Sequence, residues 1–340
     1  MCGIIGIVAP TASQEWKFHI LQRLLSESQT RGRDATGIAF LQKNGKALIL
    51  KDGVEADKFI ETSKFLKLKE RIPQIVIGHT RSASRFKVNY RGSGTVIADA
   101  EDNKNNHPFY SSQSGLTLVH NGLMDDDFWR DSTGEEDGIM FPCESQTDSE
   151  IFLRVLETFH LRVGGELLEN IEDTAFNVSG DYTLAILKDG KPDNLWLVRH
   201  SKPLSIAYIP SVHAIIFASE ESIIKEALTE EERMFGFFIK ENIPEYICHQ
   251  AADDQAIKLS IIEDDSNPHG FTFDLIGTKL KCATNEYKYH VQMAELEEKE
   301  KKESNEENEE KSSTIVEELE PNSEMIHSTE SVTPRGTIYR

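Results

Sequence analysis

Residues 1–10 read MCGIIGIVAP, and the run from Gly3 to Ala9 is apolar throughout. A short apolar run rich in Ile and closed by a proline is the pattern of a buried strand. A cysteine directly ahead of it places a thiol at the strand's entrance. Downstream, EWKFHILQRLLSESQTRG carries Trp16, Ile20, Leu21, Leu24 and Leu25 at helical spacing. Strand patterns then crowd together in GIAFLQ, ALILK, QIVIGHT, LTLVHNG, YTLAIL, LWLVRH, LSIAYI and AIIFAS. A second helix is expected in TDSEIFLRVLETFHL, with Thr147 or Asp148 as its cap. Asn-Gly in KNGK (43–46) and Asp-Gly in KDGK (188–191) are hairpin signals. The order suggests mostly antiparallel sheets covered by helices, not a doubly wound parallel sheet.

The chain has 340 residues, a hydrophobic share of 38% and a formal net charge of −21. Such a charge argues against nucleic acid as a partner, because phosphate-backbone affinity comes from clustered Lys and Arg. No apolar run approaches the ~20 residues a spanning helix needs, and no signal-like leader is seen. The expectation is a soluble cytoplasmic protein with no membrane contact. Cys2, Cys143, Cys248 and Cys282 lie far apart without a CxxC pair, a spacing that suggests neither a zinc site nor a disulfide framework. We divide the chain into a main domain over 2–250, a poorly defined extension over 251–293 and an acidic disordered tail over 294–340. A fraying charged helix around Glu295 to Lys302 is the only element expected in the tail.

Position 2 carries the first chemical signal. With Met1 removed, Cys2 would bear a thiol and a free α-amine, whose ordinary pKa of about 7.7 to 8.0 suits a base near neutral pH. One residue would then supply nucleophile and base; otherwise the thiol is a small buried hydrophobe. RGRDATG (31–37) reads as a turn in which Asp34 caps backbone amides. GHTRSAS (78–84) ends a strand with Arg81, able to hold a carboxylate through two parallel hydrogen bonds or to make a surface salt bridge. In LVHNGLM (118–124), Asn121 and Gly122 suit an oxyanion site, or equally a tight turn. In TDSEIF (147–152), Asp148 would bind a substrate ammonium or cap the helix.

Taken in order, CGIIG, RGRDATG, GHTRSAS, NNHPF, HNG, TDSE, SGDYTLAIL, VRHSKPL and FASEES resemble the glutaminase domain of class II glutamine amidotransferases. These are N-terminal-nucleophile hydrolases that include the front halves of glucosamine-6-phosphate synthase, amidophosphoribosyltransferase and asparagine synthetase. The resemblance covers about residues 2–230. It implies an α+β fold, a four-layer αββα sandwich of the N-terminal-nucleophile hydrolase type. It also implies hydrolysis of L-glutamine to glutamate and ammonia through a γ-glutamyl thioester on Cys2. Arg81 would grip the substrate α-carboxylate, Asp148 its α-ammonium, and Asn121 with the Gly122 N–H would form the oxyanion hole. Arg31 falls on the family's RG-x-D-x-x-G arginine, assigned to the pocket floor, while His107 is read as structural. The stretch HTRSASRF lacks the aromatic and the Thr-His pair that follow this arginine in one branch of the family. No metal or organic cofactor is implied. The ammonia is expected to pass to a separate synthase partner. Alternatives are an amidase on another γ-glutamyl compound and a non-catalytic binding module of the same fold.

Overall fold

The computed structural model describes residues 1–83, 88–89, 95–96, 98–124, 129, 132–134, 138–234 and 237–282. The chain divides into a unit spanning Met1–Thr284 and a second, Asn285–Arg340, which lies outside the described residues. So do the acidic tail and the charged helix expected in it, residues 283–293, and Ser84 and Arg85 of the wall stretch after Arg81.

The first unit begins with β1 (Gly3–Val8), α1 (Gln14–Ser28), β2 (Ala35–Leu41), β3 (Ala47–Asp52), α2 (Ala56–Ile60) and α3 (Ser63–Leu66). It continues with β4 (Ile75–Arg81), the short pair β5 (Val88–Asn89) and β6 (Thr95–Val96), β7 (Phe109–Ser111), β8 (Leu116–Met124) and α4 (Ser149–Arg162). Next come α5 (Leu167–Asn177), β9 (Gly180–Lys188), β10 (Asn194–His200), β11 (Ser205–Ile209), β12 (Ala214–Ala218) and α6 (Glu221–Leu228). The described part ends with β13 (Glu230–Met234), β14 (Phe237–Asn242), β15 (Ile247–Gln250), β16 (Gln255–Glu263) and β17 (Phe271–Lys279).

Two sheets carry the fold. The first runs β15-β11-β12-β1-β4-β2-β3 and the second β17-β16-β10-β9-β8-β7, with antiparallel neighbours throughout. The unbroken apolar run of β1 follows from its place inside the first sheet. Ile5 and Ile7 pack with Leu21, Leu24 and Leu25 of α1, whereas Ile4 and Val8 face Val119, Ala185 and Leu197 of the second sheet. Both faces are covered, so no alternation is left. The outer face of the second sheet packs Leu118, Leu184, Ile186 and Trp196 on Ile151, Phe152 and Leu156 of α4 and Ile171 of α5. Helices, two antiparallel sheets and helices thus form the four-layer αββα sandwich expected from the resemblance.

Several details depart from the sequence expectations. Asn121 and Gly122 make no turn; β8 runs on through them to Met124, paired with Thr183 and Tyr182 of β9. Gly32 is needed for close approach, since a Cβ there would collide with the backbone of Arg81 and Ser82. Helices α5 and α6 are short and rich in acids, and the sequence did not distinguish them from loops. The stretch 251–293, poorly defined on sequence grounds, contains the β16–β17 hairpin, and β16 pairs with β10 from Asn194↔Ser260 to Arg199↔Gln255.

Candidate active site

Strand pairing brings the flagged motifs to one end of the sandwich. Gly3 lies opposite Thr80 and Ala35 opposite Arg81, so β4 sets Cys2 and the RGRD turn on either side of its own C-terminal end. The Cys2 thiol donates to the Ser82 carbonyl at 3.7 Å. That carbonyl is fixed from behind: Asp34 N–H donates to Arg81 O at 2.9 Å, and Ala83 N–H to Asp34 Oδ2 at 2.6 Å. Burial pushes the thiol pKa up; the chain's amino terminus and Arg81 pull it down, while Asp148 pushes it further up. The charges of Arg81 and Asp148 therefore both reach the sulfur.

Arg31 is buried and serves the chain's own N-terminal segment. Its Nε–H donates to the Cys2 carbonyl at 2.7 Å, and Nη1 pairs with Glu220. Glu220 follows Ser219, whose Oγ accepts from Ile4 N–H at 2.9 Å and whose N–H donates to Ile4 O at 2.9 Å. The FASEES stretch thus clamps the start of β1. No role for Ser219 or Glu220 was read from the sequence, because a β1 partner about two hundred residues away leaves no local pattern.

Arg81 is buried and makes no salt bridge among the described residues. Nη1 donates to Asn106 Oδ1 at 2.7 Å and to Asp99 O at 3.5 Å, and Nη2 to Ala98 O at 2.9 Å. A guanidinium offers five N–H donors, more than these contacts among the described residues take up. Asn106 is the residue sequence reasoning missed here, although it sits inside the quoted NNHPF.

The second sheet supplies the remaining groups. His79 Nε2 bonds the His120 carbonyl at 2.8 Å, tying β4 to β8 one residue before Asn121. Asn121 is 2% exposed and its Nδ2 has no partner among the described residues. Gly122 has φ +153, and a Cβ there would run into the Asp181 carbonyl, so only glycine fits. Asp148 holds the N-cap position of α4 without making a side-chain cap bond; its Oδ2 accepts from Met124 N–H at 2.8 Å. Glu150 steadies the approach to it, accepting from Ser145 N–H at 2.6 Å, Glu144 N–H at 3.0 Å and Arg154 Nη2 at 2.8 Å.

As to a metal, one group among the described residues could offer three donor atoms: His200 Nδ1, Asp254 and Cys282, all within 4.8 Å of one another. His200 and Asp254 already pair at 2.6 Å, and the Tyr182 hydroxyl donates to Cys282 Sγ at 3.8 Å. Tyr182 belongs to the helix-facing core of the second sheet, so this group faces away from the layer between the sheets. The cysteine spacing did not disclose it, because its three members come from separate strands and loops.

With this geometry in view, comparisons with known proteins define the class first. Glutamine phosphoribosylpyrophosphate amidotransferase from B. subtilis superposes with a TM-score of 0.50 at 18% identity, covering 80% of this chain and 49% of that one. The fold is therefore that of the N-terminal-nucleophile glutamine amidotransferases. In sequence, the glutamine–fructose-6-phosphate aminotransferase (isomerizing) of Fusobacterium nucleatum is 29% identical over 224 residues, 66% of this chain and 32% of the relative. Its namesake from Aeropyrum pernix is 25% identical over 248 residues, 72% of this chain and 37% of the relative. No protein-family model matches. The chain spans about a third of the length of these curated relatives. Sequence and fold agree in relating it to the class II glutamine amidotransferases.

Proposed function

We propose that this chain, with Met1 removed, is a glutamine amidotransferase glutaminase acting on free L-glutamine. The Cys2 sulfur attacks the side-chain amide carbon while the Cys2 α-amine takes the thiol proton. The tetrahedral oxyanion is held by Asn121 Nδ2 and the Gly122 N–H. The C–N bond then breaks, the α-amine returns the proton to the leaving nitrogen, and ammonia departs from a γ-glutamyl thioester. Water adds to the thioester by the same route and releases glutamate and the Cys2 thiol. Arg81 and Asp148 recognise the substrate's α-carboxylate and α-ammonium, and Arg31 positions Cys2 through its carbonyl. No resident cofactor takes part in these steps.

The observation that carries the proposal is the setting of one thiol. The Cys2 thiol bonds the carbonyl next to the buried Arg81, and β1 behind it packs through Ile4 on Val119 of β8, the strand whose Asn121 amide is buried without a partner among the described residues. A thiol is not needed to bind a zwitterion, so its presence favours an enzyme over a binding module. Two opposite charges match an amino acid with both α-groups free, which favours glutamine over other γ-glutamyl amides. The ammonia is passed to an acceptor synthase outside this sandwich, since free ammonia is mostly protonated at neutral pH and diffuses away.

Intact mass and glutamate release, measured for the parent and for Cys2→Ala with a glutamine-mimicking electrophile, test the reading. Expected are loss of Met1, one adduct on Cys2, and no turnover in the variant. Free glutamine should be turned over far faster than α-blocked glutamine. Glutamate release that persists in Cys2→Ala, or equal rates on the two substrates, would overturn it.

A further inference from the structure

At the end of the sandwich away from Cys2 lies a cleft of about 990 Å³. Pro10 beyond β1, Leu41 at the end of β2 and Ile75 at the start of β4 all line it, which sets it a strand length from the thiol. Two of its polar groups lack what they need. Lys17 on α1 is 4% exposed, its ammonium has no hydrogen bond or ion pair among the described residues, and burial lowers its pKa. Three residues earlier on the same helix face, Gln14 donates its Nε2 to Ile72 O at 3.0 Å and keeps a buried Oε1 without a partner among the described residues. The buried Gln14 acceptor left in this state costs free energy that a fitting donor would recover, and the Lys17 ammonium at the cleft wall is free to pair with an anion.

The rest of the lining narrows the ligand. Lys43, Lys67 and Arg71 surround the cleft against one acid, Glu70, in a chain whose net charge is −21. Local positive charge against such a background favours a dianion. Phe40, Leu68 and Ile72 give apolar wall for a carbon skeleton, and Gln14 Oε1 can accept from a hydroxyl. The volume falls in the range of small-molecule sites.

We propose that this cleft binds a phosphorylated polyol, its phosphate on Lys17 and a hydroxyl on Gln14 Oε1. The site is independent of the glutaminase reading, because its test reads binding and not turnover. Calorimetric titration and thermal melting of the full chain would use glucose 6-phosphate, glycerol 3-phosphate, inorganic phosphate and glucose. The two phosphomonoesters bind and raise Tm, more weakly at higher salt, and glucose does not. Lys17→Met weakens them about 10- to 100-fold, the loss of one charge-assisted hydrogen bond. The unliganded variant melts no lower than the parent, because the Lys17 ammonium makes no hydrogen bond or ion pair among the described residues for the substitution to remove. Gln14→Leu weakens the polyol phosphates and leaves inorganic phosphate unchanged. If Lys17→Met fails to fold, Arg71→Ser on the exposed rim gives the same readout with a smaller loss. Absence of phosphomonoester binding, unchanged affinity in both cation variants, or inorganic phosphate binding as tightly as the esters would overturn the proposal.

Discussion

Asn121 is buried with an amide nitrogen that donates to nothing among the described residues, a condition that costs about 1–3 kcal/mol. It makes sense if the acceptor arrives only when an oxyanion forms. Asn121→Ala should then lower kcat by about 10²–10³ and leave KM nearly unchanged. Its Tm should not fall, since the substitution removes the orphaned group; a matched rise in KM with kcat intact would instead mark Asn121 as a binding residue. The thiol adds a pH test. Burial pushes the Cys2 pKa up, so the sulfur is protonated at neutral pH and needs a base. If the α-amine is that base, it must be unprotonated, and kcat/KM should climb with pH and level off above about pH 8. A profile flat from about pH 6 to 9 would remove the amine from the mechanism.

At the scale of elements, the N-terminal half of α4 matters most. Arg154 pairs with Glu150 at 2.8 Å and Glu157 at 2.9 Å, all three buried, and Glu157 also accepts from Ser111. Glu150 in turn holds the backbone of Glu144 and Ser145, just before Asp148. Glu150→Ala strips a partner from a buried arginine and should cost about 3–5 kcal/mol. If the pair also positions Asp148, KM for glutamine should rise several-fold while kcat changes little; a stability loss with KM unchanged would confine Glu150 to the scaffold. The sequence showed this helix clearly, because TDSEIFLRVLETFHL joins a cap residue to apolar spacing. It could not choose between cap and ligand for Asp148, a choice that depends on Met124 N–H arriving from β8. The apolar strands were legible for the same reason as β1: burial on both faces leaves unbroken runs. The clamp by Ser219 and Glu220, the Asn106 contact to Arg81 and the helices α5 and α6 were not, since they rest on long-range partners or on short acidic turns.

Across the whole molecule, β4, β8 and the segment before β7 hold buried histidines that have no room to charge. His79 and His107 stack with ring centroids 3.9 Å apart, and His120 lies 6.2 Å from His107. Burial lowers all three pKa values, that of His79 to about 3, and Arg81 pushes His79 and His107 the same way, with Lys51 also acting on His107. Asp148 opposes the shift at His120, and Lys202 adds to it. In the unfolded chain each histidine titrates near its ordinary value of about 6.5. Below that pH the unfolded state takes up protons that the folded state refuses, so the stabilisation is present above about pH 6.5 and drains away as pH falls toward the folded values. Each such histidine contributes a slope of up to about 1.4 kcal/mol per pH unit. Tm should therefore hold steady above about pH 7 and fall below it. Carboxylates also titrate as pH falls, and a substitution separates the two causes. Both ring nitrogens of His107 lack partners among the described residues, and its ring packs edge-on against Phe109 at 4.7 Å, so His107→Phe forfeits no hydrogen bond. Its melting curve between about pH 7 and 5 should be flatter than the parent's by one proton's worth. Parallel curves for the two proteins would mean that His107 charges without disturbing the packing around it, and that acid acts on this fold elsewhere.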